Sequence, residues 1–241
     1  KSQEGKPPKH QDIARRMLFG YSGSARGTRL GVWPEVKMKY REPPGGADKI
    51  FDYSFDYILM PVGRRSRKEI EVETGESWGE VRPVIEAAGY SLSRREGGDC
   101  VEDFPHGAPL LVEIMTCSTS GGNKDKRTTI PMAFEDAVLG KSHEAPGINY
   151  RQVWARMVSQ LVVKSEVAMA WGGNAFWILQ DVLVDYISRS TALDLHQFLT
   201  ERASEVNILS FSYGSDLAGG RGILEMRDGN LFAGPIRPEG A

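Results

Sequence analysis

The sequence predicts an α/β protein in which a mixed central β-sheet is flanked by helices on both faces. Segments rich in β-branched and aromatic residues alternate with segments whose apolar residues recur every three or four positions. This alternation of strand and helix patterns is typical of layered α/β folds. The chain has 241 residues, 40% of them hydrophobic, so we expect one domain over 1–241 with a sizeable core.

Four strands and two helices are predicted in the first half of the chain. The strands are the aromatic or β-branched segments 32–40, 50–62, 90–95 and 110–116. A short helix is predicted over 13–19, and apolar residues at helical spacing predict another over 77–88. The basic run 63–69 and the acidic run 97–107 are interpreted as loops, because charged residues and Gly dominate them.

The longest predicted element is a helix over 148–171 in the second half. Its apolar face includes Val153, Met157 and Leu161. The remaining helices are predicted over 130–139, 181–189 and 193–203, and the remaining strands over 175–180 and 207–213, with a hairpin in the Gly-rich remainder.

Composition limits the classes of function. The net charge of −2 gives no global basic field, but a locally basic cleft can lie on a neutral protein, so nucleic acid stays open as a partner. Two cysteines, Cys100 and Cys117, are too few for a disulfide framework and suit a reducing cytoplasm. With no apolar run of about 18 residues and a polar N-terminus, we expect a cytoplasmic protein that does not bind membranes.

An acid in a hydrophobic strand is the first indication of function. Glu113 lies in the middle of the segment 110–116, flanked by apolar residues on both sides. A buried strand seldom carries an acid unless the acid is paired or holds a metal. The loop that follows is rich in Ser, Thr, Gly and Lys, which supply the donors and cations that phosphates need. Together these features point to metal-dependent chemistry on nucleic acid.

A second acid, Asp56, lies within the aromatic strand 50–62. Neighbouring strands are about 4.8 Å apart, so Asp56 and Glu113 can converge if their strands pair. Two carboxylates suit Mg²⁺, which prefers hard oxygen ligands and keeps several waters. Lys124, in the loop after Glu113, could supply a cation that stabilises charge on a phosphate.

These segments resemble a known family of nucleases. Asp56 within YSFDYILM, Glu113 within LLVEIMT, Lys124 and the helix AFEDAVL resemble the PD-(D/E)XK nucleases, and within them the NotI family of type II restriction endonucleases. The segment 149–187 resembles that family's long helix followed by a strand. The similarity covers roughly residues 50–190, which leaves 1–49 and 191–241 as DNA-binding or dimerisation additions.

The resemblance implies that Asp56 and Glu113 bind Mg²⁺ in a PD-(D/E)XK core. It also implies double-strand cuts at a specific, palindromic, GC-rich DNA site by a homodimer that belongs to a restriction-modification system. The position two residues after the Glu is Lys in many relatives, but here it is Met115, and a thioether cannot neutralise phosphate. Lys124 or Lys126 could supply the cation, Glu135 could add a ligand, or the site could be inactive. We favour Lys124, because a lysine follows the Glu at a similar distance in the relatives.

Further side chains are candidates for contact with DNA phosphates or base edges. They are Ser118, Ser120, Asn123, Lys126 and Arg127 in the loop, and Arg151 and Arg156 on the long helix. Each has a simpler interpretation: the loop and helix residues could be solvated, and Glu113 could form a structural ion pair. Other functions that the sequence allows are a repair or modification-dependent DNA nuclease and a non-catalytic DNA-binding module.

Overall fold

The computed structural model describes residues 29–41, 50–95, 98–115, 122–144, 146–213 and 226–236, and the structural statements below refer to these residues. The central sheet is mixed, with parallel and antiparallel strands, and helices flank it, so the predicted α/β architecture is confirmed. The short helix predicted over 13–19 lies outside the described residues. Within them, no helix combines the length and the apolar character that crossing a membrane requires.

The chain divides into two compact units. Unit 1 comprises the chain up to Glu113 together with Glu166–Phe176, and unit 2 comprises Ile114–Ser165 and the chain from Trp177 onward. The single domain over 1–241 stays a prediction.

Unit 1 is built on a long antiparallel strand pair. β1 (Leu30–Arg41) pairs along its whole length with the first part of β2 (Ile50–Ser66). The other elements are α1 (Arg67–Thr74), α2 (Trp78–Ala87), β3 (Leu92–Arg95), β4 (Gly98–Pro105), β5 (Leu110–Ile114) and the start of β6 (Asn174–Gln180). The strand order is β3-β4-β2-β5-β6, with β1 also on β2.

Two segments of unit 1 that were predicted as loops belong to regular elements. The basic run 63–69 continues β2 as far as Ser66 and then enters α1, where Ser66 and Glu69 form a capping box. The acidic run 97–107 contains β4, which pairs with both β2 and β3 and buries Val101 completely. The two loop predictions are wrong because exposed charged residues on these strands obscure the buried alternate positions.

A cluster of buried apolar side chains packs β2, β5 and β6 against the end of a helix. Its members are Phe55, Ile58, Leu111, Ala168 and Ala175. Ala168 belongs to the last turn of α4 (Tyr150–Ala170), the long helix that the sequence predicts. This cluster lies beside the two strands that carry the acids.

Unit 2 packs helices against a second group of strands. Its elements are α3 (Ile130–Val138), α4 as far as Ser165, β6 from Trp177, α5 (Asp181–Ser190), a 3-10 helix (Leu195–Phe198), β7 (Leu199–Thr200), β8 (Val206–Tyr213) and β9 (Met226–Gly234). The strand order is β6-β8-β9-β7. Met157 of α4, Trp177 of β6 and Leu183 of α5 are fully buried in its core.

The predicted helix over 193–203 is wrong. The segment forms only the 3-10 helix and β7, in which Leu199 pairs with Phe232 of β9. Asp194 accepts a hydrogen bond from the backbone N–H of His196 and so caps this single turn. The apolar spacing misleads here because a short pattern does not distinguish a helix from a turn followed by an edge strand.

Gly173 fixes where β6 starts beside β5. The backbone N–H of Asn174 donates to the carbonyl oxygen of Pro109, at 3.2 Å, directly before β5 begins. A Cβ atom on Gly173 would collide with that same carbonyl oxygen. Only a residue without a side chain therefore allows this approach of the two backbones.

We expect Gly173→Ala to lower the free energy of unfolding by about 1–3 kcal/mol, because backbone atoms must move apart to admit the methyl group. Urea denaturation monitored by circular dichroism measures the change. Gly79→Ala is the matched control: this exposed helical position has no atom nearer than 3.9 Å to the added Cβ, so alanine is expected to be neutral or stabilising. Equal stability of the Gly173→Ala and wild-type proteins would contradict the steric argument.

Candidate functional site

The pairing of β2 with β5 brings the two predicted metal ligands together. The partners in this antiparallel pair are Tyr57 and Val112, Ile58 and Leu111, and Leu59 and Leu110. Asp56 and Glu113 are the next residues along the two strands, directly beyond the pair of Tyr57 and Val112. Directly opposed residues on antiparallel strands project to the same face, with Cβ atoms about 4.5–5.5 Å apart. Asp56 and Glu113 lie two residues from the opposed pair Ile58 and Leu111, so their side chains lie on the same face of the unit 1 sheet.

The two acids differ in how far they are exposed. Glu113 is only 3% exposed, and Asp56 is half-buried. Like charges directly opposite each other destabilise a strand pair, and burial increases that repulsion. Carboxylate oxygens are the ligands that Mg²⁺ prefers, so the two side chains carry the type of atom that such an ion binds.

The site offers a pair of acidic ligands rather than a larger cluster. Among the described residues, no three or more His, Cys, Asp or Glu side chains are grouped closely enough to hold a metal. A pair is sufficient for Mg²⁺, which usually keeps several waters and takes one or two carboxylates from the protein. Cys100 is buried in β4, and Cys117 lies outside the described residues.

Met115, two residues after Glu113, has a packing role. Its backbone N–H donates to the carbonyl oxygen of Ile178, at 3.0 Å. Its half-buried side chain packs against the core cluster of unit 2, which includes Trp177 and Leu179. The thioether therefore fills apolar space in unit 2.

The loop after β5 contains a turn over residues 124–127 that Asn123 organises. The side-chain oxygen of Asn123 accepts hydrogen bonds from the backbone N–H groups of Asp125, at 2.8 Å, and Lys126, at 3.2 Å. The backbone N–H of Asn123 donates to the hydroxyl of Thr128, at 2.9 Å. Lys124 and Lys126 are exposed on this turn. Two ammonium groups thus project into solvent from a backbone held by local hydrogen bonds.

Arg127 ties the turn to α3. Its guanidinium donates to both carboxylate oxygens of Asp136, at 2.8 and 2.9 Å, and to Glu135, at 2.8 Å. These hydrogen bonds raise the pKa of Arg127 and hold the pKa of the buried Asp136 below its ordinary value. Arg127 and Glu135 are therefore engaged with each other within unit 2. A DNA contact by Arg127 and a metal contact by Glu135 both stay predictions.

Only some of the other predicted DNA-contacting residues lie in the part of the chain that the structure describes. Arg151 and Arg156 are exposed on α4, where they are accessible to a charged partner. Ser118 and Ser120 lie outside the described residues.

One unusual residue was missed by the sequence-based reasoning. Lys164 of α4 is only 3% exposed, and its Nζ lies 5.7 Å from the centre of the Trp177 ring. A signal was present in the spacing, because Lys164 follows Met157 and Leu161 at intervals of four and three residues. That spacing places the lysine on the apolar stripe of the helix.

Comparison with known proteins adds no family assignment. Neither the protein-family models nor the curated proteins yield a match to this chain. The nuclease interpretation therefore depends on the motif residues and their geometry.

We expect Arg127→Ala to lower the melting temperature by a few degrees at neutral pH, because it removes the ion pairs with Asp136 and Glu135. The effect should depend on pH. Since the folded-state pKa of Asp136 is lowered, its contribution to stability is present above the ordinary aspartate pKa and disappears as the pH falls through the folded-state value.

The difference in melting temperature between the wild-type and Arg127→Ala proteins should therefore shrink as the pH falls from about 6 to about 2. Differential scanning calorimetry across this range tests the expectation. Lys126→Ala, a change of the neighbouring exposed cation, should leave the melting temperature almost unchanged. A difference that stays constant down to the lowest pH would show that Arg127 acts without its carboxylate partners.

Proposed function

We propose that this protein is a Mg²⁺-dependent endodeoxyribonuclease with a PD-(D/E)XK core, similar to type II restriction endonucleases of the NotI family. Its substrate is double-stranded DNA, cut in both strands at a specific, palindromic, GC-rich site. The observation that carries the proposal is the register of β2 and β5, in which Ile58 is opposite Leu111, so that Asp56 and Glu113, two residues further along, share one face of the sheet.

The chemistry of the two acids fits this reaction. Asp56 and Glu113 supply hard oxygen ligands, and Glu113 supplies them from a buried position where a cation offsets the cost of burying charge. A bound Mg²⁺ supplies Lewis-acid chemistry and neutralises charge on the phosphate. The carboxylates hold their positions on paired strands, so their geometry varies little during the reaction.

The exposed cations support contact with the DNA backbone. Lys124 and Lys126 project from the Asn123 turn, while Arg151 and Arg156 are exposed on α4. Lysine and arginine side chains of this kind position a duplex through its phosphates without reading sequence. A palindromic site favours a two-fold homodimer as the active species, because protein symmetry then matches that of the DNA.

A second candidate is a DNA-binding module without catalytic activity. The observation that favours it is the apolar packing of Met115 at the position where many relatives carry a charged side chain. A repair or modification-dependent nuclease would use the same two acids and differ only in its substrate.

The nuclease proposal predicts discrete cleavage products from a plasmid in the presence of Mg²⁺ and none in EDTA. Asp56→Asn and Glu113→Gln should each lower the cleavage rate at least about a hundredfold, because each removes a metal ligand. Glu102→Gln is the matched control: this half-buried strand acid accepts a hydrogen bond from Ser93, at 2.9 Å, and is not opposed to Asp56.

Full activity of both Asp56→Asn and Glu113→Gln would rule out the metal-site assignment. Salt-sensitive binding of DNA by a wild-type protein that never cleaves it would support the binding module instead.

Lys126→Ala should weaken DNA binding about equally on specific and non-specific sequences, because phosphate contacts carry no sequence information. The slope of log affinity against log salt concentration should fall by about 1, as expected for the loss of one phosphate contact. Fluorescence anisotropy in Ca²⁺ buffer measures both quantities. Lys141→Ala, which removes another exposed lysine from a different loop, is the control and should bind like the wild type. A normal slope for Lys126→Ala would exclude the contact.

A further inference from the structure

The strand pair β1–β2 has an apolar face next to Asp56. Val36 of β1 is opposite Phe55 of β2. Phe55 is fully buried, the centre of its ring lies 5.9 Å from that of Trp171, and Val36 is half-buried against the same apolar cluster. This face of the strand pair is therefore packed against the core of unit 1.

The other face of the strand pair carries polar residues at the neighbouring positions. Lys37 is opposite Ser54, and both side chains are exposed. Alternate residues of a strand project to the same face, and so do residues opposed across an antiparallel pair. Asp56, two residues after Ser54, therefore lies on the face that carries Ser54 and Lys37. We call these three residues the polar face of β1–β2.

Accessibility increases along this face from Ile58 toward Ser54. Ile58 is buried, Asp56 is half-buried and Ser54 is exposed. The accessible part of the face is thus the part that carries Ser54 and Lys37. A ligand that binds at Asp56 and is too large to be enclosed would extend over these two residues.

Lys37 offers such a ligand a positive charge. The residue opposite it, Ser54, is neutral, and among the described residues Lys37 forms no ion pair. β1 carries three cations, at alternate positions from 37 to 41, and a single acid, Glu35. Diagonal neighbours across an antiparallel pair are about 7–8 Å apart, within reach of a long side chain. The ammonium group of Lys37 can therefore bind an anion next to one that is held at Asp56.

A DNA strand is a polyanion that fits this arrangement. Each strand of B-DNA carries one negative charge for about every 3.4 Å of helix axis, so a phosphate held at Asp56 has neighbours close by. The major groove of DNA admits a two-stranded β-ribbon, so the strand pair itself does not obstruct a duplex. Lysine side chains position a duplex through its phosphates.

We infer that the polar face of β1–β2 is a surface for the DNA backbone, on which Lys37 contacts a phosphate next to the one that lies at Asp56. The inference rests on the proposed function, because it takes DNA as the substrate of the two acids. Lys37 positions the strand and takes no part in making or breaking bonds. Its loss should therefore weaken DNA binding more than it slows the cleavage of bound DNA.

Fluorescence anisotropy in Ca²⁺ buffer, over a range of salt concentrations, tests the inference with full-length variants. The probes are a labelled duplex that spans a cleavage site mapped with the wild-type protein and a random-sequence duplex of equal length. Lys37→Met, which removes the charge and keeps a long side chain, should lower the slope of log affinity against log salt concentration by about 1 on both duplexes. Binding at about 0.15 M salt should weaken about three- to tenfold.

Two variants serve as controls. Lys37→Arg keeps the charge and should keep the wild-type slope. Lys68→Met removes an exposed lysine from α1, in the same unit, and should bind like the wild type. All three variants change exposed side chains, so their melting temperatures should stay close to that of the wild type. If Lys37→Met fails to fold, Lys37→Ala takes its place with the same expected slope.

A modified duplex tests where Lys37 makes its contact. A neutral methylphosphonate placed at one of the two phosphates adjoining the scissile phosphate should weaken binding by the wild type. At the phosphate that Lys37 contacts, the same replacement should leave binding by Lys37→Met nearly unchanged, because the interaction is already lost. Losses that add fully in Lys37→Met at both adjoining phosphates would overturn the assigned contact.

The outcomes also distinguish this inference from the function on which it rests. A wild-type slope for Lys37→Met, or an equal loss of slope in Lys68→Met, overturns the inference, while loss of cleavage in Asp56→Asn leaves the nuclease proposal intact. A wild-type protein that binds DNA without cleaving it, together with a reduced slope for Lys37→Met on the random duplex, supports the DNA surface and overturns the nuclease. A wild-type protein that binds no DNA overturns both.

Discussion

A slip of one residue in the pairing of β2 with β5 would turn Glu113 away from the face that it shares with Asp56. The same slip would turn the buried side chain of Leu111 away from Ile58, which it opposes across the strand pair. Burial of this apolar pair therefore also fixes the position of the two acids. The candidate site consists of acidic residues, but apolar packing beside it keeps those residues in position.

The opposed acids impose a cost that the rest of unit 1 offsets. Two carboxylates at facing positions destabilise a sheet, and a buried one is costly even alone. β2 is held on its other edge by β1 over its first part and by β4 near its end. β5 is held in turn by the close approach of Pro109 to Gly173 and Asn174. Strands that are held by several neighbours can tolerate local repulsion. Functional sites often contain local strain of this kind.

The two acids could be chosen as candidates from the sequence alone. The register of the two strands that carry them could not be predicted in this way. An acid within an apolar run is visible in the order of residues, as with Glu113, because burial of charge needs a reason. Which strand lies beside β5 depends on contacts between residues more than fifty positions apart along the chain. β4 was missed for a related reason: only pairing with β2 and β3 makes a strand of its acidic sequence.

Three cations of one turn illustrate why side-chain identity alone could not assign roles. Arg127 is committed to Asp136 and Glu135, whereas Lys124 and Lys126 project into solvent from the same turn. Their sequence neighbourhood is shared, and what separates them is the set of hydrogen bonds that Arg127 makes with α3.

The sequence-based reasoning assigned no role to Lys164, and lysine is usually exposed. Its interval from Met157 and Leu161 placed it on the buried stripe, yet a lysine at the edge of such a stripe commonly extends its ammonium group to water. Burial beside Trp177 distinguishes the two cases. The environment of each cation, more than its place in a motif, is therefore the better guide to its task.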